Sequence, residues 1–190
     1  KFLQRLNSDL ANDLGNLVSR TVSMVEKYNG GILPSPKAVE ELDQTLIIQA
    51  TETAGKVEEL MDKLNFSNAL EEIWKLIRRT NKYVDETMPW ILARDGNAER
   101  LDTVLYNLSE SLRIVSILIQ PFMVRTSDEI RRQLGVEGAV NWEDAKTWGL
   151  LKEGTKLQKG GIIFPRLDIK VELERLNAAN NKLIEKRTGA

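Results

Sequence analysis

Apolar residues recur along the chain with the three- and four-residue spacing of amphipathic helices. In the first segment, residues 1–28, one face is formed by Leu3, Leu6, Leu10, Leu14, Leu17 and Met24. The glycines and prolines of NGGILPSP then interrupt the pattern, which predicts a turn. A second helix is predicted from about Lys37 to Leu64. Its inward positions are Leu42, Leu46, Ala50, Val57, Leu60 and Leu64.

Three further helices follow from the same spacing. The third, FSNALEEIWKLIRRTNKYVDE, carries an apolar stripe formed by Phe66, Leu70, Ile73, Ile77, Thr80 and Val84. It ends before Pro89, because the residue preceding a proline avoids helical geometry. The fourth, NAERLDTVLYNLSESLRIVSILIQ, has an almost wholly apolar end, so its last turns are expected at the centre. The fifth begins near Pro121 and stops at Gly135.

The pattern weakens after the fifth helix. Residues 136–168 contain turn glycines without a sustained period, which predicts an irregular wrap packed on the bundle, with Trp142 and Trp148 as anchors. Residues 169–190 form a charged helix that serves either as a docking helix or as a linker. The sequence therefore predicts an all-α fold, with a bundle of about five helices in residues 1–135 and a C-terminal helical extension.

Composition narrows the possible chemistry. The chain of 190 residues contains no cysteine and no histidine, so disulfides, thiolate nucleophiles, imidazole bases and the usual zinc sites are excluded. No apolar run approaches the roughly 18 residues of a membrane span. The net charge of −1, from 27 basic and 28 acidic residues, argues against broad binding to duplex phosphates. We find no catalytic constellation, and expect a binding module.

A polar stripe and a tryptophan are the candidate binding groups. Asn12, Asn16 and Arg20 are spaced four residues apart, on a different face from the leucines. They form either a solvated helix surface or a row of polar side chains presented to a polar partner. Asn and Arg can each form two hydrogen bonds to a base edge. Trp90 directly follows Pro89 at a helix break. It either packs against the bundle or offers a rigid surface on which a single-stranded base can stack.

Three segments resemble a known family: NSDLANDLGNLVSRTVSMVEKYNGG, NKYVDETMPW and GGIIFPRLD. They are similar, in order and spacing, to the anticodon-binding helical domain of bacterial-type methionyl-tRNA synthetases. The resemblance implies that Asn16 and Arg20, in NLVSR, and Trp90, in MPW, together read the anticodon CAU. Asn12 and Asp85 also fall in family motifs and are weaker candidates for the RNA-binding face, with Asp85 repelling phosphates.

The resemblance also implies a larger parent enzyme. That enzyme is a cytoplasmic class I aminoacyl-tRNA synthetase, which attaches methionine to its tRNA in translation, using ATP with Mg²⁺, and the family usually carries a zinc-binding insertion. The chain lacks the family's catalytic motifs, so we expect it to be non-catalytic, without cofactor or metal. Its expected partners are methionine tRNA, through the anticodon loop, and the missing catalytic domain, rather than DNA or a membrane.

Two alternatives stay open at this stage. The first is the equivalent domain of another class I synthetase, of the cysteinyl, valyl or leucyl type, in which NLVSR and MPW should not occur together. The second is a helical scaffold that binds protein partners, which predicts an exposed apolar groove and indifference to RNA.

Overall fold

A computed structural model describes residues 2–188 of the chain. Every regular element in that range is helical, and one isolated antiparallel bridge joins Ile32 to Lys156, so the all-α prediction is confirmed. The elements are α1 (Phe2–Arg5), a π-helix (Leu6–Gly15), α2 (Asn16–Asn29), α3 (Glu41–Asp62), α4 (Phe66–Thr87), α5 (Pro89–Arg94), α6 (Ala98–Leu118), α7 (Val124–Leu134), a 3-10 helix (Trp142–Lys146) and α8 (Ile169–Thr188). The ends of the predicted first and last segments, Lys1, Gly189 and Ala190, lie outside the described residues.

Helix α6 is the central element of the bundle. Every residue from Arg100 to Ile119 is buried, including polar ones such as Ser109 and Glu110. A helix buried on all sides must be surrounded by other elements, and α2, α3, α4, α5 and α7 all contact it. This agrees with the central position that its apolar end predicted.

The first predicted helix is continuous but not uniformly α-helical. Its middle part, Leu6–Gly15, is a π-helix, in which the backbone N–H of Asn16 still bonds to the carbonyl of Ala11, five residues back. The longer turn changes which positions face inward. Asn7 and Ala11 are buried together with Leu14, whereas Leu6 and Leu10, predicted as inward, are only half-buried.

The second helix begins later than predicted, at Glu41 instead of Lys37. Glu40 and Asp43 form a capping box there, with the Glu40 N–H donating to Asp43 Oδ2 at 2.8 Å, and this fixes the helix start. Two predicted inward positions are wrong: Leu64, at the far end of this helix, is 74% exposed, and Phe66, at the start of the third predicted helix, is 47% exposed. Leu64 lies beyond the end of α3 with a positive φ of 55°, so its side chain leaves the helical stripe.

Residues 154–167, which we call the strap, cross the surface of the bundle. Gly135 ends α7 with a positive φ of 69° and makes room for the strap, since a Cβ there would lie 2.5 Å from the carbonyl oxygen of Lys156. Backbone hydrogen bonds between Leu33 and Thr155, and between Leu157 and Gly31, attach the strap to the loop after α2. The predicted anchors Trp142 and Trp148, which precede the strap, are half-buried against the core.

A buried ion pair fixes the segment before the strap. Arg113 donates to Glu110, at 2.7 Å for the Nη2–Oε1 pair, and both side chains are at most 4% exposed. The Glu110 carboxylate also accepts the backbone N–H groups of Gly149, Leu150 and Leu151 at 2.8, 3.1 and 3.0 Å. One carboxylate of α6 therefore holds three consecutive amides of an otherwise irregular segment.

The last helix, α8, has little cover. Its exposed apolar side chains include Val171, Leu173 and Leu176. Among the described residues, no helix is both long enough and apolar enough to cross a membrane.

Candidate nucleic-acid interface

Trp90 lies at the surface, on a short helix with a tightly bonded start. Helix α4 stops at Met88, whose left-handed backbone (φ 45°) is uncommon for a residue other than glycine. The Met88 N–H donates to the Val84 carbonyl at 3.0 Å, and its own carbonyl accepts from the Ile91 N–H at 2.8 Å. Pro89, buried, then begins α5. Trp90 itself is 42% exposed, and the backbone before it is hydrogen-bonded on both sides of Met88.

The inner side of α5 explains why Trp90 is not drawn into the core. Leu92 and Ala93 pack against the core, and Pro89 is buried, so the apolar contacts of this helix are already supplied. The sequence allows Trp90 either to pack against the bundle or to stay accessible to a base. The structure leaves a large part of the ring accessible.

Asn16 and Arg20 lie on α2, one turn apart. Asn16 is exposed and is the first residue of α2, directly after the π-helix, and the Arg20 side chain is 41% exposed. Four residues make about one turn of an α-helix, so the two side chains share a face. Asn12, also exposed, lies within the π-helix.

Arg20 is linked to the end of α4 through Asp85. Their Nη2 and Oδ1 atoms are 3.7 Å apart, with side chains 41% and 70% exposed. An exposed pair at this distance contributes little to stability. Arg20 is therefore steered by Asp85 while keeping its guanidinium available to another partner.

Three contacts define how α4 runs along the first helix. The Trp74 indole N–H donates to the Asp9 carbonyl at 3.2 Å, and the Asn81 amide donates to the Asp13 carbonyl at 3.0 Å. The pairing of Arg20 with Asp85 continues the series. Because the numbers rise together on both elements, the two run in the same direction.

This register places Arg20 beside the end of α4. Asn16 falls between Asp13 and Arg20 on the first helix, and Trp90 follows Asp85 by five residues, beyond the turn at Met88. Within residues 2–188 no hydrogen bond or ion pair joins the indole to Asn16 or Arg20. The three side chains are not bonded to each other, and the contact between them that the structure shows runs through Asp85, which ties Arg20 to the end of α4.

The arginine pair on α4 is already engaged in ion pairs. Arg78 contacts Glu71 at 2.6 Å, and Arg79, only 12% exposed, contacts Glu86 at 2.7 Å. The hydrogen bond from Arg79 lowers the pKa of Glu86. These arginines are therefore committed to carboxylates, in line with an ordinary charged helix face.

Sequence reasoning missed a buried polar network behind the end of α4. Arg100 donates to both oxygens of Asp43, at 2.6 and 2.8 Å, and the Tyr83 hydroxyl donates to Asp43 Oδ1 at 2.5 Å. The amide of Asn107 donates to the Tyr83 oxygen at 3.1 Å. Burial, helped by Asp43, raises the pKa of Tyr83. The signal in the sequence was Tyr83 itself, which lies in KYVDE two residues before Asp85.

No cluster of metal-ligating residues occurs in the part of the chain that the structure describes. Since histidine and cysteine are absent from the whole sequence, these residues do not fit a zinc site.

Comparisons with known proteins agree with the motif resemblance. A family model described as the anticodon-binding domain of tRNA ligase matches residues 43–186, a range that contains Asp85 and Trp90 but not Asn12, Asn16 or Arg20. The methionine–tRNA ligase of Caldanaerobacter subterraneus is 58% identical over 92% of this chain, and that of Clostridium tetani is 52% identical over 93%. The chain spans 28% of the length of either relative.

A solved structure has the same architecture. The apo form of Mycobacterium tuberculosis methionyl-tRNA synthetase superposes with a TM-score of 0.81 and 34% sequence identity. The match covers 87% of this chain and 34% of that one.

Proposed function

The chain belongs to the family of anticodon-binding domains of tRNA ligases, and from that premise we propose that it reads the CAU anticodon of methionine tRNA. Its parent would be a class I methionine–tRNA ligase acting in cytoplasmic translation, with ATP and Mg²⁺ bound outside these residues. The 58% identity to a methionine–tRNA ligase supports this assignment over a cysteinyl, valyl or leucyl type.

In the proposed mechanism, the first anticodon base leaves the loop stack and lies on the Trp90 indole. Unstacking a base costs free energy, and stacking on an aromatic side chain returns about 1–3 kcal/mol. The indole is well suited to this, because its backbone is fixed by Pro89 and by the bonded turn at Met88. Little backbone entropy is then lost on binding.

Asn16 and Arg20 supply the discrimination between bases. They present an amide and a guanidinium on one face of α2. A cytosine edge can pair with both, whereas a wrong base leaves one of them without a partner at a cost of about 1–3 kcal/mol. Asn12, exposed one turn earlier, is a weaker candidate for the same RNA.

Asp85 has a steering role in this proposal. It holds the guanidinium of Arg20 through a 3.7 Å contact, which is too long for a hydrogen bond and easily exchanged for a base. Its carboxylate, 70% exposed, would repel a phosphate that approached from the wrong direction.

One observation supports the proposal most directly: Trp90 is 42% exposed at a hydrogen-bonded helix start, just after the end of α4 that contacts Arg20 through Asp85. The core contacts of α5 are made by the neighbours of Trp90, namely Pro89, Leu92 and Ala93. Here those neighbours fill the core without it.

The test is a titration of a short RNA stem-loop with a CAU anticodon, and of the same stem-loop with its first anticodon base changed. We expect wild type to prefer CAU, and Trp90→Ala to lose affinity for it by about tenfold or more, because a stacking platform is removed. Fluorescence anisotropy of labelled RNA gives both dissociation constants.

Ile48→Ala is the matched control, since Ile48 is a 53% exposed apolar residue on α3, away from the proposed face. It should leave binding unchanged. Equal binding of both stem-loops by wild type, or unchanged binding by Trp90→Ala, would contradict the proposal and favour a protein-binding scaffold.

A further inference from the structure

The π-helix, Leu6–Gly15, ends immediately before Asn16. Its hydrogen bonds span five residues, as the bond from the Asn16 N–H to the Ala11 carbonyl shows. Such helices are rare and are found mostly as single turns, frequently at functional sites. The backbone of Asn16 is the point where the wider turn passes into an α-helix, so its orientation depends on whether the π-helix is maintained.

The strap holds the π-helix at both of its ends. Near the start, the Asn7 side chain donates to the Leu167 carbonyl and accepts from the Leu167 N–H, both at 2.8 Å. Asn7 is only 8% exposed, so these hydrogen bonds are partly shielded from water. A reciprocal pair of this kind fixes both the position and the rotation of the helix start.

At the other end, Phe164 lies against Gly15. A Cβ at position 15 would be 3.7 Å from the Cβ and Cδ2 of Phe164, and 3.2 Å from the Leu10 carbonyl oxygen. Gly15 has ordinary helical dihedrals (φ −61°), so glycine is not required there by backbone conformation. A Cβ there would be tight only against the Leu10 carbonyl oxygen of the widened turn, while Phe164 lies over the position at ordinary van der Waals distance.

Helix α4 holds the same segment from another direction. Trp74 and Asn81 donate to the carbonyls of Asp9 and Asp13. The π-helix is thus tied to α4 through two carbonyls and to the strap near Asn7 and Gly15. The contacts with the strap lie at the two ends of the π-helix, at Asn7 and at Gly15.

We propose that Phe164 is a positioning residue for anticodon recognition, acting through Gly15 to set the orientation of the Asn16 side chain. This rests on the proposed function of Asn16. In this arrangement the strap makes no contact with RNA. It keeps the wide turn from relaxing into an α-helix, and the Asn16 amide then faces the base that Trp90 stacks.

The test uses the 190-residue chain and the two stem-loops described above. Phe164→Ala should reduce the preference for CAU over the changed loop by about tenfold, which is the effect of losing one hydrogen bond to a base edge. Phe164→Leu, which keeps an apolar side chain over Gly15, should recover part of it. Ile162→Ala is the control, since Ile162 lies in the same strap and is 79% exposed.

A double-mutant cycle separates positioning from general loss of stability. If Phe164 acts through Asn16, Phe164→Ala should have no further effect on the preference in an Asn16→Ala background. Thermal unfolding by circular dichroism establishes that each variant is folded at the assay temperature. Should Phe164→Ala be unfolded, Phe164→Leu, the smaller change at the same contact, takes its place in the cycle.

An unchanged preference in folded Phe164→Ala, together with loss of binding in Trp90→Ala, would overturn the positioning role and leave the proposed function intact. Additive effects of Phe164→Ala and Asn16→Ala would overturn it as well. If Trp90→Ala binds like wild type, the proposed function itself fails and the inference fails with it.

Discussion

Whether a side chain in this protein is buried or exposed depends on which contacts its neighbours already make. Trp90 stays accessible because Pro89, Leu92 and Ala93 already cover the core beside it. Asp43 is the opposite case, since it is fully buried and accepts hydrogen bonds from Arg100 and Tyr83. The first arrangement leaves a surface for a ligand, and the second leaves a charge whose partners cannot be replaced by water.

Asp43→Asn should therefore be strongly destabilising. It leaves the guanidinium of Arg100, 5% exposed, without its buried carboxylate. Breaking one partner of a buried ion pair costs about 3–5 kcal/mol. Urea unfolding at pH 7 measures the difference. Asp62→Asn, at the exposed end of the same helix, should change stability little, and an equal effect of the two substitutions would rule out the network as the cause.

The same carboxylate predicts how stability varies with pH. Burial by itself would raise the pKa of Asp43, but hydrogen bonds from Arg100, Tyr83 and the Glu40 N–H outweigh it and hold the pKa below its ordinary value. Its stabilising contribution is then fully present above the unfolded-state pKa of about 4 and is lost as pH falls through the folded-state value. Below about pH 4, the urea concentration at the unfolding midpoint should decrease more steeply with falling pH for wild type than for Asp43→Asn.

At the scale of elements, the sequence predicts where the helices lie but not the π-helix within the first of them. Repeated apolar spacing reports which face of a helix is buried, and it located α3, α4 and α6 within a few residues. It could not report the π-helix, because the wider turn depends on contacts with Phe164 and Leu167, which lie far along the chain. The predicted stripe therefore omitted Asn7, a polar residue that is buried because the strap bonds to it.

The candidate interface shows the same division. Trp90, Asn16 and Arg20 were chosen from residue type, local spacing and family motifs, all of which are present in the sequence. The contact of Arg20 with Asp85 and the network behind Tyr83 required the packing of α4 against other helices. Partners such as Asp43 and Arg100 are 57 residues apart and carry no local pattern that would pair them.

The segment before the strap should depend on one carboxylate. Glu110→Gln would weaken three backbone hydrogen bonds and leave Arg113, 4% exposed, without a buried anion. We expect a loss of about 3–5 kcal/mol and faster hydrogen exchange at the amides of residues 149–151. Exchange measured by NMR tests this, with Glu143→Gln, on a 72% exposed side chain, as the control. Unchanged exchange at those amides would contradict the role assigned to Glu110.

The whole molecule carries almost no net charge, and this limits how it can bind RNA. With a net charge of −1, it has no excess of cations to cover a phosphate backbone, and Arg78 and Arg79 are paired with glutamates. Recognition must then come from stacking and base edges in a small area.

If the chain neutralises few phosphates, its affinity for the CAU stem-loop should depend only weakly on salt concentration, and this can be measured. A plot of log K against log salt has a slope of about −0.7 for each phosphate neutralised in a single strand. We expect a slope no steeper than about −2 for the CAU stem-loop, corresponding to two or three phosphates. The same stem closed by an unrelated loop is the control and should bind poorly at every salt concentration. A slope near −5 would instead indicate a broad electrostatic footprint.

The pairing of Asn7 with Leu167 joins residues 160 positions apart in the chain. Closing so long a loop costs conformational entropy, and pairings between sequence-distant residues form slowly in folding. Helices α2 to α7 can associate through nearer contacts before this tie is made. Competence to discriminate between anticodons would accordingly be the last property that a folding chain acquires, later than compactness and later than most of its thermodynamic stability.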